Sequence, residues 1–345
     1  MAGAIMDTSQ KILEGDIRFI SRYITKIERQ DDDAIEVLKR LYPHTGHAAV
    51  IGLTGAPGAG KSSMTNCLIA AYLKKNMRVA VLAVDPSSEF TGGGILGDRI
   101  RMPVLDERLY IRSFGSRGHL GGLSIACGDA IHLLDAAGFD RILVETVGTG
   151  QSETEIKEYA NTVIVVTNPN QGDDIQAMKA GIFEIGDIFV VNKADMPGAD
   201  QTESDLIHMT HLLAGKAPIV ASCCSCPVVE DKAINADSTA VRIPPVIKVS
   251  AKTGQGFAEL VEAIEDHLGY LQANNLFLEK QRKIARKELE GAINLYWQQN
   301  GMLPLQESAR WQQICEDVAA KKTDPWTASE FLCQTLSIEW EERRT

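Results

Sequence analysis

The residues best placed to do chemistry are Gly55, Ala56, Pro57, Gly58, Ala59, Gly60, Lys61 and Ser62, a stretch of the form G-x-x-x-x-G-K-[ST] that runs on into Ser63. Glycines at this spacing let backbone N–H groups turn inward on a β-phosphate, and a helix that follows offers it the positive end of its dipole. From such a loop Lys61 reaches the β- and γ-phosphates, and the Ser62 hydroxyl is placed to ligate magnesium. The flanks suit that use. Ala48–Leu53 is an apolar, strand-like run, and Ser63–Tyr72 carries Met64, Leu68 and Tyr72 at helical spacing. The stretch therefore predicts a nucleotide-phosphate cradle.

Asn192, Lys193, Ala194 and Asp195 follow a second apolar run, Ile188–Val191. N-K-x-D after a strand reads guanine: the Asp carboxylate accepts from N1–H and the exocyclic amine, groups adenine does not present in that arrangement. A buried polar group left unpaired costs about 1–3 kcal/mol, which discriminates against adenine nucleotides. Ser250, Ala251 and Lys252 end the last apolar run and fit the backbone element that closes over such a base. On the phosphate side, Glu145 opens Glu145-Thr146-Val147-Gly148 where many GTPases carry Asp-x-x-Gly. Its carboxylate falls near magnesium, and the Gly148 amide is placed to sense the γ-phosphate. Glu is one methylene longer than Asp, so direct and water-mediated ligation are both open. Asp85 ends the run Val79–Val84, and Asp98 closes the glycine-rich loop Thr91–Asp98; both offer the oxygen that magnesium takes.

These residues need a scaffold that gathers them. Strand candidates are Ala48–Leu53, Val79–Val84, Leu109–Ile111, Ile142–Val144, Val163–Val166, Ile188–Val191 and Val246–Val249, alternating with helical patterns. Continuous β-branched runs between helices predict an α/β fold, a P-loop NTPase whose mostly parallel sheet is buried on both faces. Ligands then gather at the C-terminal ends of the strands, where every motif above falls. Thr8–Leu41 reads as helical, punctuated at Asp31-Asp32-Asp33, whose acids suit a solvated helix start better than a metal site. Leu276–Gln299 and Ser308–Lys321 read as helices beyond the sheet, with Pro304 between them and Pro325 after them. The expected organisation is a helical extension over 1–45, a nucleotide domain over 46–268 and a helical region over 269–345. Leu289, Ile293, Tyr296 and Trp297 form an apolar stripe in that last region, which could cover itself on the same domain or on a second subunit. Arg282, Lys283, Arg286 and Lys287 read as a solvated helix face.

Composition bounds the partners. With 35 basic and 46 acidic side chains the net charge is −11, which argues against nucleic acid. No apolar run of membrane-spanning length occurs, and Met1–Asp16 lacks the pattern of a signal peptide. With seven cysteines and no such signal, reduced thiols and a cytoplasmic location are expected. Cys223, Cys224 and Cys226, with His208 and His211 upstream, could form a soft metal site. Adjacent cysteines chelate poorly, however, and an incidental loop is the simpler reading.

Four stretches together carry a resemblance. Ala80–Ser88, Thr91–Asp98, Leu143–Glu153 and Asn192–Asp195 resemble the MeaB/ArgK family, GTPase chaperones of adenosylcobalamin-dependent acyl-CoA mutases, chiefly methylmalonyl-CoA mutase. The match is good over about 10–215 and looser over 245–300. The resemblance implies GTP/GDP as ligand, magnesium held directly or at one remove by Ser62, Asp85, Asp98 and Glu145, and hydrolysis that depends on Lys61, Asp98 and Glu145. Gln151 is a candidate for positioning water and Arg117 for stabilising charge. It also implies switches at Asp85–Arg101 and Glu145–Glu153, and a third at Asn168–Lys179, with Gly172, Asp173, Asp174 and Lys179. Hydrolysis in such a protein gates cofactor loading and protects the mutase, and the protein is a homodimer. Two departures from the family pattern concern the client. The segment after Asp195 lacks the usual Ala- and Arg-rich helix, and Arg112–Gly118 carries an extra arginine. Other functions compatible with a phosphate cradle are a metal-delivery GTPase and a transport-associated ATPase or kinase; the guanine motif opposes the last.

Overall fold

Apolar runs rich in valine and isoleucine fold as a seven-stranded sheet in the order β3-β2-β4-β1-β5-β6-β7. Every pairing between these strands is parallel. The strands are β1 (Ala49–Thr54), β2 (Val79–Asp85), β3 (Leu109–Gly115), β4 (Arg141–Thr146), β5 (Thr162–Thr167), β6 (Ile188–Val191) and β7 (Val246–Lys248). The structure, a computed structural model, describes residues 2–29, 31–85, 106–115, 125–146, 155–169, 180–213 and 242–342. Helices α1 (Ala2–Leu13), α2 (Ile17–Arg29) and α3 (Asp32–Leu41) precede the sheet. Within it come α4 (Lys61–Lys74), α5 (Ile125–Ala136), α6 (Ala180–Phe183) and α7 (Ala199–Leu213). After it come α8 (Phe257–Ala273), α9 (Leu276–Trp297), α10 (Leu303–Gln306), α11 (Ala309–Ala319) and α12 (Pro325–Glu342). Among the described residues no helix is long and apolar enough to cross a membrane.

Period-two alternation divides the core. Val50, Leu82, Ile142, Val144, Val163 and Val165 face one layer with residues of α1, α2, α3 and α5. Ile51, Leu53, Val81, Leu143, Ile164 and Val166 face the other with residues of α4 and α8. Burying both faces is what permits apolar residues at every position of a central strand. Gly52 is the gap in β1, and Ile156 packs into the space a side chain would take.

Several boundaries differ from expectation for local reasons. The helical stretch before the sheet is three helices. Gly15, at φ +79°, closes the first, and the Asp16 carboxylate accepts from the Arg18 N–H at 2.9 Å to open the second. β3 continues four residues past Ile111, because β2 offers it a partner along its whole length, to Asp85 opposite Gly115. Pro325, expected beyond the last helix, instead opens α12, where its missing N–H costs nothing.

The chain forms two compact units, Met1–Ile284 and Ala285–Thr345, with the boundary inside α9. In the second unit Leu305 and Leu332 are buried together, with Trp311 and Ile314 against them. In the first, two carboxylates hold the N-terminal ends of the central strands. Asp135 on α5 accepts from the N–H groups of Gly46, His47 and Ala48 at 2.6, 3.2 and 2.9 Å, fixing the approach to β1. Asp187, just before β6, accepts from the Val163 N–H at 2.8 Å and lies 3.4 Å from the His267 Nε2.

His267 is buried, sharing a hydrogen bond with the Thr162 hydroxyl through Nδ1 at 2.9 Å. Burial pushes its pKa down to about 4, with Arg242 and Lys280 adding to the shift and Asp187 opposing it. A histidine in an unfolded chain titrates at about 6.5. Between these values the unfolded chain holds a proton the native one does not, so stability falls as pH falls through that window. Urea unfolding at pH 7 and pH 5 should show a larger loss in the wild type than in His267→Gln. Equal losses would mean that His267 is not buried neutral.

Candidate functional site

β1 lies between β4 and β5, and β6 flanks β5, so four strand ends open side by side. Register sets Leu53 opposite Glu145, Thr54 opposite Val165, and Thr167 opposite Val191. Gly55, Glu145, Asn168 and Asn192 are therefore neighbours at one edge, though they are far apart in sequence.

The phosphate loop follows β1 and turns into α4 at Lys61. Gly55 and Gly60 have φ of +137° and +93°, and neither position has room for a side chain. A Cβ on Gly55 would collide with the Val166 carbonyl, and one on Gly60 with the Asn192 amide. Glycine at both lets the loop press against its neighbouring strands. Ala59 is fully buried, and Lys61 is 6% exposed. Its Nζ donates to the carbonyls of Gly55 at 2.6 Å and Ala56 at 3.1 Å, which holds the ammonium along the loop.

Side-chain amides brace the loop from β5 and β6. Asn168 Nδ2 donates to the Gly58 carbonyl at 3.0 Å, and Asn192 Nδ2 to the Ala59 carbonyl at 2.8 Å. Only a donor satisfies a carbonyl, which fixes the orientation of both amides. Lys193, at φ +57°, adds its Nζ to Gly58 at 3.2 Å. The Oδ1 atoms of both asparagines are buried and find no hydrogen-bond partner among the described residues.

Glu145, 8% exposed, is gripped by two hydroxyls of α4. Ser62 Oγ donates to its Oε1 at 2.5 Å and Thr65 Oγ1 to its Oε2 at 2.9 Å. The extra methylene of Glu over Asp is used in spanning from β4 to these hydroxyls. At the other end of the site, the Ser250 hydroxyl donates to Asp195 Oδ1 at 2.7 Å. That bond, with Lys252 nearby, holds the Asp195 carboxyl below its ordinary pKa, so it is an acceptor throughout the neutral range. The Ala194 N–H reaches the Val249 carbonyl at 3.0 Å, and Gly254 closes a turn on the Ser250 carbonyl at 2.8 Å. The sequence-predicted Asn192, Lys193, Asp195 and Ser250 are thus brought together.

Other expected residues lie outside the described ones: Asp98, Arg117, Gly148, Gln151, Gly172, Asp173, Asp174, Lys179, Cys223, Cys224 and Cys226, together with the side chain of Asp85. Arg112 is described, and it points to the N-terminal helices, pairing with Glu28 at 2.7 Å and Thr25 at 3.0 Å. Thr65 is not singled out by sequence; its only signal is its place one helical turn after Lys61. Asn168 reads from sequence as the start of a loop and not as a brace.

The phosphate loop, the Glu145 carboxylate and the Asn192–Asp195 loop thus lie in order along neighbouring strand ends. The family described as "Methylmalonyl Co-A mutase-associated GTPase MeaB" matches residues 20–296. A protein of Pyrococcus abyssi that carries a provisional GTPase name is 37% identical, over 95% of both chains. The GTPase ArgK of Escherichia coli is 38% identical over 55% of this chain and 60% of its own. Among solved structures, one described as a LAO/AO transport system kinase superposes with a TM-score of 0.64 at 23% identity, covering 98% of this chain and 99% of its own, a likeness of fold. The chain belongs to the MeaB family and is a P-loop GTPase that binds GTP and hydrolyses it.

Proposed function

We propose that this GTPase serves an adenosylcobalamin-dependent acyl-CoA mutase of the methylmalonyl-CoA type, its nucleotide state gating cofactor loading and protecting the enzyme. The observation that carries the reading is the family match over residues 20–296, a family described by its association with that mutase. A mouse relative, 33% identical over 63% of this chain and 48% of its own, is named methylmalonic aciduria type A homolog. Co-purification of the chain with the mutase, in GDP and in a non-hydrolysable GTP analogue, tests the association. Equal, background-level capture in both states would remove it.

Hydrolysis follows from where charge is held. Lys61 carries the cation of the phosphate loop, and the N–H groups that open α4 face the same place. Magnesium fits the donor set, since a serine hydroxyl and a carboxylate oxygen 2.5 Å apart offer the hard oxygen chemistry that ion takes. Ser62 and Glu145 would hold it, with Asp85 and Asp98 as further candidates. When bound, the ion neutralises charge that develops on the β- and γ-phosphate oxygens. Glu145 keeps the Ser62 hydroxyl oriented, Lys61 offsets the phosphate charge, and Gln151 orients the attacking water. Specificity rests on Asp195, kept ionised by Ser250 and aimed at the guanine N1–H and amine.

The segment from Asn168 to Lys179 couples this site to the client. It leaves β5 beside the cradle, and its first residue donates to the Gly58 carbonyl at 3.0 Å. A change in the loop is therefore felt where the segment begins. The protein works as a homodimer through its C-terminal region, 269–345. In support, Leu289 and Ile293, four residues apart on α9, are 62% and 50% exposed.

Three outcomes follow. Asp195→Asn should lose GTP affinity by at least about tenfold, the worth of one or more charge-assisted bonds, and gain xanthosine triphosphate; unchanged preference for guanine in a nucleotide competition would contradict it. Lys179→Ala should lower the ratio of mutase-stimulated to basal hydrolysis; a wild-type ratio of the two would make the segment a mere connection. Light scattering should give twice the chain mass for the wild type and the single mass for Leu289→Glu/Ile293→Glu; a monomeric wild type would end the dimer.

A further inference from the structure

Thr65 is fully buried, one turn into α4 and below the phosphate loop. Its hydroxyl has one hydrogen and two acceptors within reach, Glu145 Oε2 at 2.9 Å and the Lys61 carbonyl at 3.1 Å. A threonine inside a helix ordinarily donates to the carbonyl four residues back, and nothing more is asked of it. Here a carboxylate is the nearer acceptor, and a bond to a charged acceptor is about twice as strong as one to a neutral carbonyl, to order of magnitude. Glu145 sits at 8% exposure, so its oxygens depend on donors from the protein. Ser62 supplies one to Oε1 and Thr65 one to Oε2, from the same helix and three residues apart. One hydroxyl on each oxygen fixes the plane of the carboxylate. With its hydrogen committed to Oε1, Ser62 Oγ presents only lone pairs elsewhere, which is what a cation requires of it.

We propose that Thr65 is a positioning residue for the divalent cation. By holding Oε2 of Glu145 it keeps Oε1 on the Ser62 hydroxyl, and so it sets magnesium affinity without touching the nucleotide. The proposal rests on the magnesium role given to Ser62 and Glu145 above. Valine matches threonine in volume and shape, so Thr65→Val removes the hydroxyl with little change to packing, and Thr65→Ser keeps the hydroxyl while removing a methyl.

The test is the release of N-methylanthraniloyl-GDP from the full chain as magnesium chloride is titrated, with parallel measurements in EDTA. Magnesium should slow release from the wild type. In Thr65→Val the half-effect should need about tenfold more magnesium or beyond, the usual cost of losing a partner behind a metal ligand. Release in EDTA should stay at the wild-type rate, and Thr65→Ser should restore the wild-type half-effect. A wild-type half-effect in Thr65→Val would overturn the proposal. So would an equal shift in the Ser and Val variants, which would point to packing, or faster release from Thr65→Val in EDTA, which would point to a loosened cradle. Release from the wild type that ignores magnesium would instead remove the metal reading of Ser62, and this proposal with it.

Discussion

The site depends on a sideways brace. A phosphate loop has to turn its N–H groups toward the ligand, which leaves its carbonyls facing back into the protein, where they need donors. Two consecutive carbonyls, of Gly58 and Ala59, receive theirs from Asn168 and Asn192, at the ends of β5 and β6 on one side of β1. Lys193 adds a third donor. The loop is thereby tied to β5 and β6 as well as to its own strand and helix. Asn192 also begins the motif proposed to read guanine, so on that reading the phosphate and base sites share a hydrogen bond and are not independent modules.

That sharing accounts for the spacing of the glycines. Gly60 has no room for a side chain because the Asn192 amide occupies the space, and Gly55 has none because the Val166 carbonyl does. The same closeness explains the grip on Glu145. β4 lies on the other side of β1, and a glutamate there spans to two hydroxyls of α4. One strand thus has its loop held from β4 on one side and from β5 and β6 on the other. The Asp135 carboxylate fixes its far end through three backbone N–H groups.

Much of this was legible in the sequence, because the motifs are local and their chemistry is dictated by residue type. The phosphate loop, Asn192–Asp195 and Ser250 fall where strand-then-helix patterning puts them, and the parallel sheet follows from continuous apolar runs. Register is less legible. That Glu145 meets Ser62 and Thr65 depends on β4 lying beside β1, a long-range pairing with no sequence signature. Thr65 looks like an ordinary helix residue, and Asn168 like a loop residue, for the same reason. Arg112 is a further long-range contact that the sequence does not show. It lies on β3 at the sheet edge and pairs with Glu28 of α2.

Through its bond to the Ala59 carbonyl, Asn192 is expected to serve the phosphates as well as the base. Calorimetric titration of Asn192→Ala with GDP and with inorganic pyrophosphate, each in magnesium, tests it directly. Affinity should fall for both ligands, because a buried carbonyl of the cradle loses its donor. A variant that loses affinity for GDP while binding pyrophosphate as the wild type does would contradict it, and would reduce Asn192 to a reader of guanine alone.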